Sequence, residues 1–323
     1  MEKDKHLMPL EGEQALVRVG VQMGLVDKLL EEGRKEYWTL LLNKLREDKL
    51  SHELLRESEK CVAEFPNWSF GYFRRGTAKD NLKDSENAIL EFNKAIELNP
   101  NDDKAYNNRG IAKSNLKDYQ GAIEDYNKSI ELNPHDIAYH NRGVAKSNLK
   151  NYESAILDFN KAIELNPNGD KAYNNRGFAK TQLKNYEGAI LDYNEVIELN
   201  PNYDWSYLKR GILKIKLKDL ESAILDFSKA VELNPNNADT YICRGIAKAK
   251  LKYYGSAILD FDKTIELNPN YAGVYSRRGE AKFNLEDYEG AILDFDRTIE
   301  LNPNHKNALH FRSLAYNKLK SDG

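Results

Sequence analysis

A fixed period of 34 residues runs through most of this chain and restricts what it can fold into. An Arg-Gly dipeptide recurs seven times, and successive glycines lie 34 residues apart except across one interval of 33. Eight prolines from Pro66 to Pro303 keep the same spacing. The glycines are Gly76, Gly110, Gly143, Gly177, Gly211, Gly245 and Gly279. Such self-similarity is typical of proteins in which copies of one small unit stack on each other and bury a continuous core.

The residues within one unit predict two antiparallel helices. In residues 103–135, apolar and small side chains recur at helical spacing on both sides of Lys117-Asp118, a polar pair that suits a tight corner. Pro134 ends the second helix, because the residue before a proline is disfavoured in the α region. Gly110 and Ala122 are small where the helices must approach, so neighbouring tyrosines can cover the contact. The chain is therefore predicted to be all-α.

With Gly110 as position 8, the unit has Tyr at position 4, Gly at 8, Tyr at 17, Ala at 20, Tyr or Phe at 24, a small residue at 27 and Pro at 32. This pattern and its length resemble the tetratricopeptide repeat (TPR) family. The resemblance covers seven full repeats over residues 69–305 and implies a right-handed α-solenoid of helix–turn–helix repeats. Arg at position 7 and Lys at position 11 depart from the Leu and Tyr that are usual in the family.

The two ends of the chain are predicted to differ from the repeats. Residues 35–68 indicate a degenerate TPR-like repeat, in which Leu42 and Leu54 replace the small residues of positions 8 and 20. Residues 306–323 supply one more first helix, which is expected to cap the array. Residues 1–34 are expected to form an N-terminal helical segment whose broad apolar stripe, over 12–32, must be covered. Two interpretations stay open for this stripe: a cap on the first repeat, or a surface for self-association or partner docking.

Position 23 is acidic in each of the seven repeats and predicts an ion pair with the arginine of position 7. The degenerate repeat has Glu57 at position 23 but Leu41 at position 7, whereas the closing helix has Arg312 and no acid. Pairing each acid with the arginine of the next repeat leaves no residue unpaired at either end. The predicted pairs are Glu57–Arg75, Glu91–Arg109, Asp125–Arg142, Asp158–Arg176, Asp192–Arg210, Asp226–Arg244, Asp260–Arg278 and Asp294–Arg312.

The resemblance also implies that first helices line a groove, which positions 2, 5, 6, 9, 12 and 13 face. Repeats two to four place amides there, which can grip the main chain of an extended peptide because each amide both donates and accepts hydrogen bonds. Later repeats place apolar and basic residues there, which suit a hydrophobic anchor and an acidic segment. The predicted peptide-binding residues are Asn107, Asn108, His140, Asn141, Asn174, Asn175, Trp205, Leu208, Lys209, Ile212, Ile242 and Arg277.

Alternatives to a functional groove also stay open. Duplication could have copied the asparagines, and helix packing could account for the apolar residues. No lysine occupies position 5, so the carboxylate clamp with which some family members hold chaperone tails is not expected. The function expected is a scaffold or adaptor that binds an extended peptide or protein segment in the concave groove of a TPR superhelix. The alternative is a regulatory or inhibitory subunit that contacts an effector enzyme through its N-terminal helix.

Composition and motifs disfavour other classes of function. A formal net charge of −3 and a pI near 6.2 give no support to nucleic-acid or membrane binding. The period of 34 and the acidic pI also disfavour RNA binding. The six histidines and two cysteines show no spacing typical of a metal site or catalytic triad, so neither enzyme activity nor a cofactor is expected. Without a signal sequence, and with widely separated cysteines, the expected location is cytoplasmic.

Overall fold

The computed structural model describes residues 23–322, which form seventeen helices and no strand. The all-α prediction is confirmed. The helices are α1 (Met23–Glu47), α2 (Ser51–Glu64), α3 (Ser69–Asn81), α4 (Ser85–Leu98), α5 (Asp103–Asn115), α6 (Tyr119–Leu132), α7 (Asp136–Asn148), α8 (Tyr152–Leu165), α9 (Asp170–Gln182), α10 (Tyr186–Leu199), α11 (Asp204–Lys216), α12 (Leu220–Leu233), α13 (Ala238–Lys250), α14 (Tyr254–Leu267), α15 (Ala272–Asn284), α16 (Tyr288–Leu301) and α17 (Lys306–Asp322).

The described residues form two compact units, one ending at Leu149 and the other beginning at Lys150. Within each unit, consecutive helices pack against one another along the chain. The core is a series of small residues from one helix facing an aromatic ring from the next. Phe92 and Tyr126 are such rings in the first unit, and Phe227, Phe261 and Phe295 in the second, all at most 2% exposed. This alternation of glycine or alanine with a ring was predicted from positions 8, 20 and 24.

Lys117 and Asp118, the pair predicted to form a tight corner, lie between the two helices of their repeat. Lys117 has a φ of 64°, in the left-handed region, so the first helix cannot continue beyond it. Asp118 then caps the second helix, because its side chain accepts a hydrogen bond from the Gly121 backbone N–H at 3.0 Å. A residue in the left-handed region recurs at the other corners, with φ between 58° and 70°, and it is lysine at each of them except Glu286.

Replacing one of these corner lysines by glycine is expected to stabilise the protein. Lys218 has a φ of 65° and is exposed, so glycine removes backbone strain without losing a buried contact. After the greater flexibility of glycine in the unfolded chain is deducted, Lys218→Gly should raise the free energy of unfolding by about 0.5–1 kcal/mol. Urea denaturation of Lys218→Gly beside Lys218→Ala, which keeps the strain, checks this. A gain shared by both variants would contradict a backbone cause.

The repeat interval is one residue shorter once, after Pro134, and this shortens a loop without changing the lengths of the helices. Helix α6 keeps 14 residues and α7 keeps 13, the lengths found in the neighbouring repeats. His135 directly follows the proline and caps α7, its Nδ1 accepting a hydrogen bond from the Ala138 N–H at 3.1 Å. His305 caps α17 in the same way, at 3.2 Å from the Ala308 N–H. The sequence did not indicate these capping roles.

Both ends of the described chain depart from the regular repeat. Helix α1 runs without a break through residue 34 into the degenerate repeat, where Trp38, Leu42 and Leu54 form the core with α2. Helix α17 closes the other end with Ala308 and Ala315 buried, as predicted. The proposed roles for the stripe over 12–32 stay predictions, because residues 12–22 lie outside the described part of the chain.

Candidate functional site

An ion cluster made of positions 7, 11 and 23 lies between the two helices of a repeat in at least six of the seven repeats. In the α11–α12 repeat, Asp226 is 4% exposed and accepts hydrogen bonds from Arg210 Nε at 2.9 Å and Arg210 Nη2 at 2.6 Å. Lys214 Nζ lies 2.8 Å from the other carboxylate oxygen. The arginine–acid pairs are Arg75–Glu91, Arg109–Asp125, Arg176–Asp192, Arg210–Asp226, Arg244–Asp260 and Arg278–Asp294.

The prediction that each acid pairs with the arginine of the next repeat is wrong. Positions 7 and 23 lie on facing helices joined by a tight corner, so they meet within one repeat. The third arginine nitrogen does contact the preceding repeat, but its partner there is the residue at position 25. Arg210 Nη1 donates a hydrogen bond to Asn194 Oδ1 at 2.7 Å. The end residues misled the prediction because both find other partners. Glu57 pairs with Lys60 and Arg56 on its own helix, and Arg312 pairs with Asp296 at 2.7 Å.

The ion cluster explains both departures from the family pattern. Arg at position 7 and Lys at position 11 act together as two cations for one buried carboxylate, and the Tyr207 ring lies 5.6 Å from Arg210 Cζ. The sequence contained the signal for the lysine, since position 11 is Lys in each of the seven repeats. These recurring charges therefore have a structural role in the repeat.

In the first unit, the predicted amides form a hydrogen-bonded chain across α5 and α7. Asn141 Nδ2 donates to Asn107 Oδ1 at 3.1 Å, and Asn107 Nδ2 donates to Asn108 Oδ1 at 3.2 Å. His140 Nδ1 lies 3.4 Å from Asn141 Oδ1 and extends the chain. Asn107 is 6% exposed, so it positions its neighbours and has little surface for a ligand. The Asn108 NH₂ group is half-buried and has no hydrogen-bond acceptor within residues 23–322.

In the second unit, one amide is left unsatisfied. Asn174 and Asn175 are half-buried on α9, and Asn174 Oδ1 is fully buried with no hydrogen-bond partner among the described residues. The next repeat has Lys209 where an asparagine stands in the first unit. Lys209 Nζ lies 3.9 Å from the centre of the Trp205 ring, and burial lowers the pKa of Lys209. Trp205 itself is 38% exposed.

Two of the predicted apolar contacts belong to the core. Leu208 is 3% exposed and packs with Phe227, and Ile242 is 6% exposed and packs with Phe261. Ile212 is partly buried against the same cluster as Leu208. Helix packing therefore accounts for the burial of Leu208 and Ile242, and their role as partner contacts stays a prediction. The position of a residue within its repeat predicted which way its side chain points, but not how deeply the side chain is buried.

A cleft of about 230 Å³ opens between α13, α14 and α15 in the second unit. We call it the Glu280 cleft. Its lining consists of Ile246, Ala249, Lys250, Tyr254, Phe261, Arg277, Glu280, Ala281 and Asn284. Burial raises the pKa of the Glu280 carboxyl. Arg277 was predicted from the sequence and Glu280 was not, although a signal existed: five of the seven repeats have an apolar residue at position 9, where Glu280 stands.

Residues 23–322 contain neither a metal site nor a membrane-spanning helix. Their His, Cys, Asp and Glu side chains form no group that could hold a metal ion. None of the helices there combines the length and hydropathy needed to cross a bilayer. Both cysteines are free, and burial raises the pKa of Cys61 to about 12 and that of Cys243 to about 11.

Three of the solved structures similar to this chain are described as TPR proteins. The crystal structure of YrrB, described as a TPR protein with an unusual peptide-binding site, is 25% identical, with a TM-score of 0.55 over 59% of this chain and 99% of YrrB. The C-terminal part of a TPR repeat-containing protein from Cytophaga hutchinsonii is 21% identical, with a TM-score of 0.63 over 74% of this chain and 98% of that one. A tetratricopeptide repeat protein from Parabacteroides merdae is 20% identical, with a TM-score of 0.54 over 77% and 98%.

Sequence models of the tetratricopeptide repeat match more than half of the chain. The matched residues are 71–102, 103–136, 137–168, 170–203, 206–237 and 272–305. Residues 238–271 lie between these matches, yet they form α13 and α14 with the same Arg244–Asp260 pair. A search of curated proteins finds no match. The repeated helix pairs and these matches together establish that the chain belongs to the tetratricopeptide repeat family.

Proposed function

We propose that this protein is a non-catalytic scaffold or adaptor that holds an extended segment of another protein along the first helices of its repeats. The observation that carries the proposal is the amide chain on α5 and α7. Its side chains hold each other in place through hydrogen bonds of 3.1 and 3.2 Å. Because they are ordered before a ligand arrives, less conformational entropy is lost when they bind a peptide main chain. The unused Asn108 NH₂ offers donors to a peptide carbonyl.

The second unit adds features that suit a peptide of a particular character. Asn174 Oδ1 is a buried acceptor that needs a donor, and Trp205 presents an exposed ring. Lys209 and Arg277 make this surface basic, which favours acidic residues in the partner. YrrB, at 25% identity, supports peptide binding as the general mode, since its structure is described by a peptide-binding site.

A regulatory or inhibitory subunit is the second candidate, and one observation favours it. Tyr37 is 60% exposed and Leu40 is 65% exposed on α1, so this helix presents two large apolar side chains to solvent. A partner enzyme or a second copy of the chain could cover such a surface. For either candidate we propose a reducing, cytoplasmic compartment, since both thiols are free.

Peptide selection separates these candidates. A displayed library of random peptides is selected on the full chain, and the selected peptides are titrated against three variants. The amide variant changes Asn108, Asn141 and Asn175 to Ala. The matched control changes three exposed loop asparagines, Asn168, Asn202 and Asn236, to Ala. The third variant changes Tyr37 and Leu40 to Ser.

We expect the amide variant to lose at least about tenfold in affinity, as one charge-free hydrogen bond to a peptide main chain is worth roughly 1 kcal/mol and several are removed. The control should bind like the wild type. Loss confined to the α1 variant would favour the regulatory candidate. Failure to select any peptide, or equal affinity for the amide variant and its control, would contradict the scaffold.

A further inference from the structure

Three charged side chains around the Glu280 cleft lack ion-pair partners within the described chain. The one hydrogen bond to the Glu280 carboxylate is long, from Ser276 Oγ at 3.5 Å. Lys250 and Arg277 are exposed at the cleft and form no ion pair with any described residue. Asp294 in the same repeat, by contrast, has two ion-pair partners. Its carboxylate oxygens lie 2.5 Å from Arg278 Nη2 and 2.9 Å from Lys282 Nζ. The fold therefore satisfies its structural carboxylates and leaves Glu280 available.

Glu280 is unfavourable for the stability of the free protein. A carboxylate that is partly removed from water and receives one long hydrogen bond loses hydration that is only partly replaced. The two preceding repeats have Ile212 and Ile246 at this position, where an apolar side chain packs at no such cost. Duplication would have copied an apolar residue, so it does not account for the glutamate. Residues that break a local rule without a structural gain are expected at functional sites.

The shape of the cleft selects among ligands that could supply donors. Ile246, Tyr254 and Phe261 form apolar walls, and the Glu280 carboxylate is the acidic group in the lining. Lysine and arginine match this arrangement, since each has an aliphatic stem that packs on apolar surface and a cationic head. Lys250 and Arg277 would repel an isolated cation, so an anion beside it in the partner is needed for them to become favourable contacts.

We propose that the Glu280 cleft binds a lysine or arginine side chain of the partner segment, with a neighbouring aspartate or glutamate of that segment on Arg277 and Lys250. The proposal rests on the scaffold function and names the sequence that this part of the surface takes. Glu280 is then the specificity-determining residue. The basic side chain donates to its carboxylate, and the acidic neighbour accepts from the arginine and lysine.

The same peptide library tests this proposal with the full chain. Peptides selected on the wild type are expected to carry Lys or Arg beside Asp or Glu at a fixed position. These peptides should bind Glu280→Gln about tenfold or more weakly, because a hydrogen-bonded charge pair is lost while the side-chain shape is kept. Glu289→Gln, which changes an exposed glutamate on α16, is the matched control and should bind like the wild type. Replacing the basic peptide residue by methionine should weaken binding to the wild type but not to Glu280→Gln.

The outcomes distinguish this inference from the scaffold function. Selected peptides without a fixed basic position, or equal affinity for Glu280→Gln and Glu289→Gln, overturn the Glu280 proposal. If those peptides still lose affinity for the amide variant, the scaffold function stands alone. Failure to select any peptide overturns both.

A stability measurement separates binding from a packing role. Since burial raises the pKa of Glu280, its carboxyl is protonated to a higher pH in the folded than in the unfolded chain, and the charged form destabilises the fold above that pKa. Glu280→Gln should therefore raise the Tm at pH 7, and the gain should shrink as the pH falls toward the ordinary value of 4.5. The groups facing Glu280 are Arg277, Lys250, Tyr254 and His305. A lower Tm for Glu280→Gln at pH 7 would indicate a packing residue and overturn the proposal.

Discussion

Replacing Asp226 by alanine is expected to lower the free energy of unfolding by about 3–5 kcal/mol, the largest effect of any single substitution considered for this fold. The carboxylate is 4% exposed and holds both Arg210 and Lys214, whose side chains are only 18% and 19% exposed. Without it, two partly buried cations face each other with no anion between them. Urea denaturation followed by circular dichroism measures the loss.

A matched control for Asp226 lies on the same helix. Glu232 also pairs with a lysine, Lys229 at 2.7 Å, but its side chain is 68% exposed. Glu232→Ala should therefore cost less than about 0.5 kcal/mol, as is usual for exposed pairs. Replacing Arg210, Lys214 and Asp226 together by leucine should recover part of the stability lost in Asp226→Ala, because no charge is then left unpaired. Equal losses for Asp226→Ala and Glu232→Ala would contradict the importance of the ion cluster.

Gly245→Ala should destabilise the protein by about 1–3 kcal/mol, because it overpacks the contact between α13 and α14. An added Cβ would lie 2.6 Å from Phe261 Cε1, and the Phe261 ring is 1% exposed, so it has no room to move. The neighbouring Gly255 is the control: a Cβ there meets nothing within 4 Å. Gly255→Ala should be neutral or stabilise by up to about 1 kcal/mol, through helix propensity alone.

The stability lost in a Gly→Ala substitution should depend on how close the new Cβ lies to the facing ring, and a smaller facing side chain should restore part of it. Gly177→Ala places its Cβ 3.3 Å from the Tyr193 ring, so its cost should fall between those of the other two substitutions. Adding Phe261→Leu to Gly245→Ala should restore part of the stability by making space for the methyl group. Thermal unfolding of the series measures this order. If Gly245→Ala matched Gly255→Ala, the close approach of the two helices would not limit stability.

The sequence was sufficient for the fold because each local signal occurs in copy after copy. Helical spacing, the polar corner and the proline stop are all local, and they agree with the contact between Gly110 and Tyr126 in the folded repeat. A single such unit would leave several interpretations open. Repetition removes them, since one unit that packs on its neighbour must do so throughout the array.

The sequence was insufficient where a side chain had to choose between two partners. Spacing allows Asp226 to meet either Arg210 or Arg244, and only the packing of helices selects Arg210. Burial depth was equally hidden, since Leu208 and Trp205 share a helix but differ from 3% to 38% exposed. Glu280 escaped notice for a different reason. It breaks the apolar pattern of position 9, where Ile212 was the residue predicted to contact a partner.

Confinement of the ion cluster to one repeat bears on how such an array can change length in evolution. Each carboxylate travels with both of its cations, so the gain or loss of a whole 34-residue copy strands no charge at the new junction. Pairs reaching from one repeat to the next would have required both sides of every junction to match. The contact that does cross is permissive, since Asn194, Ser228 and Asp262 all accept from the following arginine. Unequal crossing-over in the gene can thus lengthen or shorten the solenoid while its interior stays neutralised.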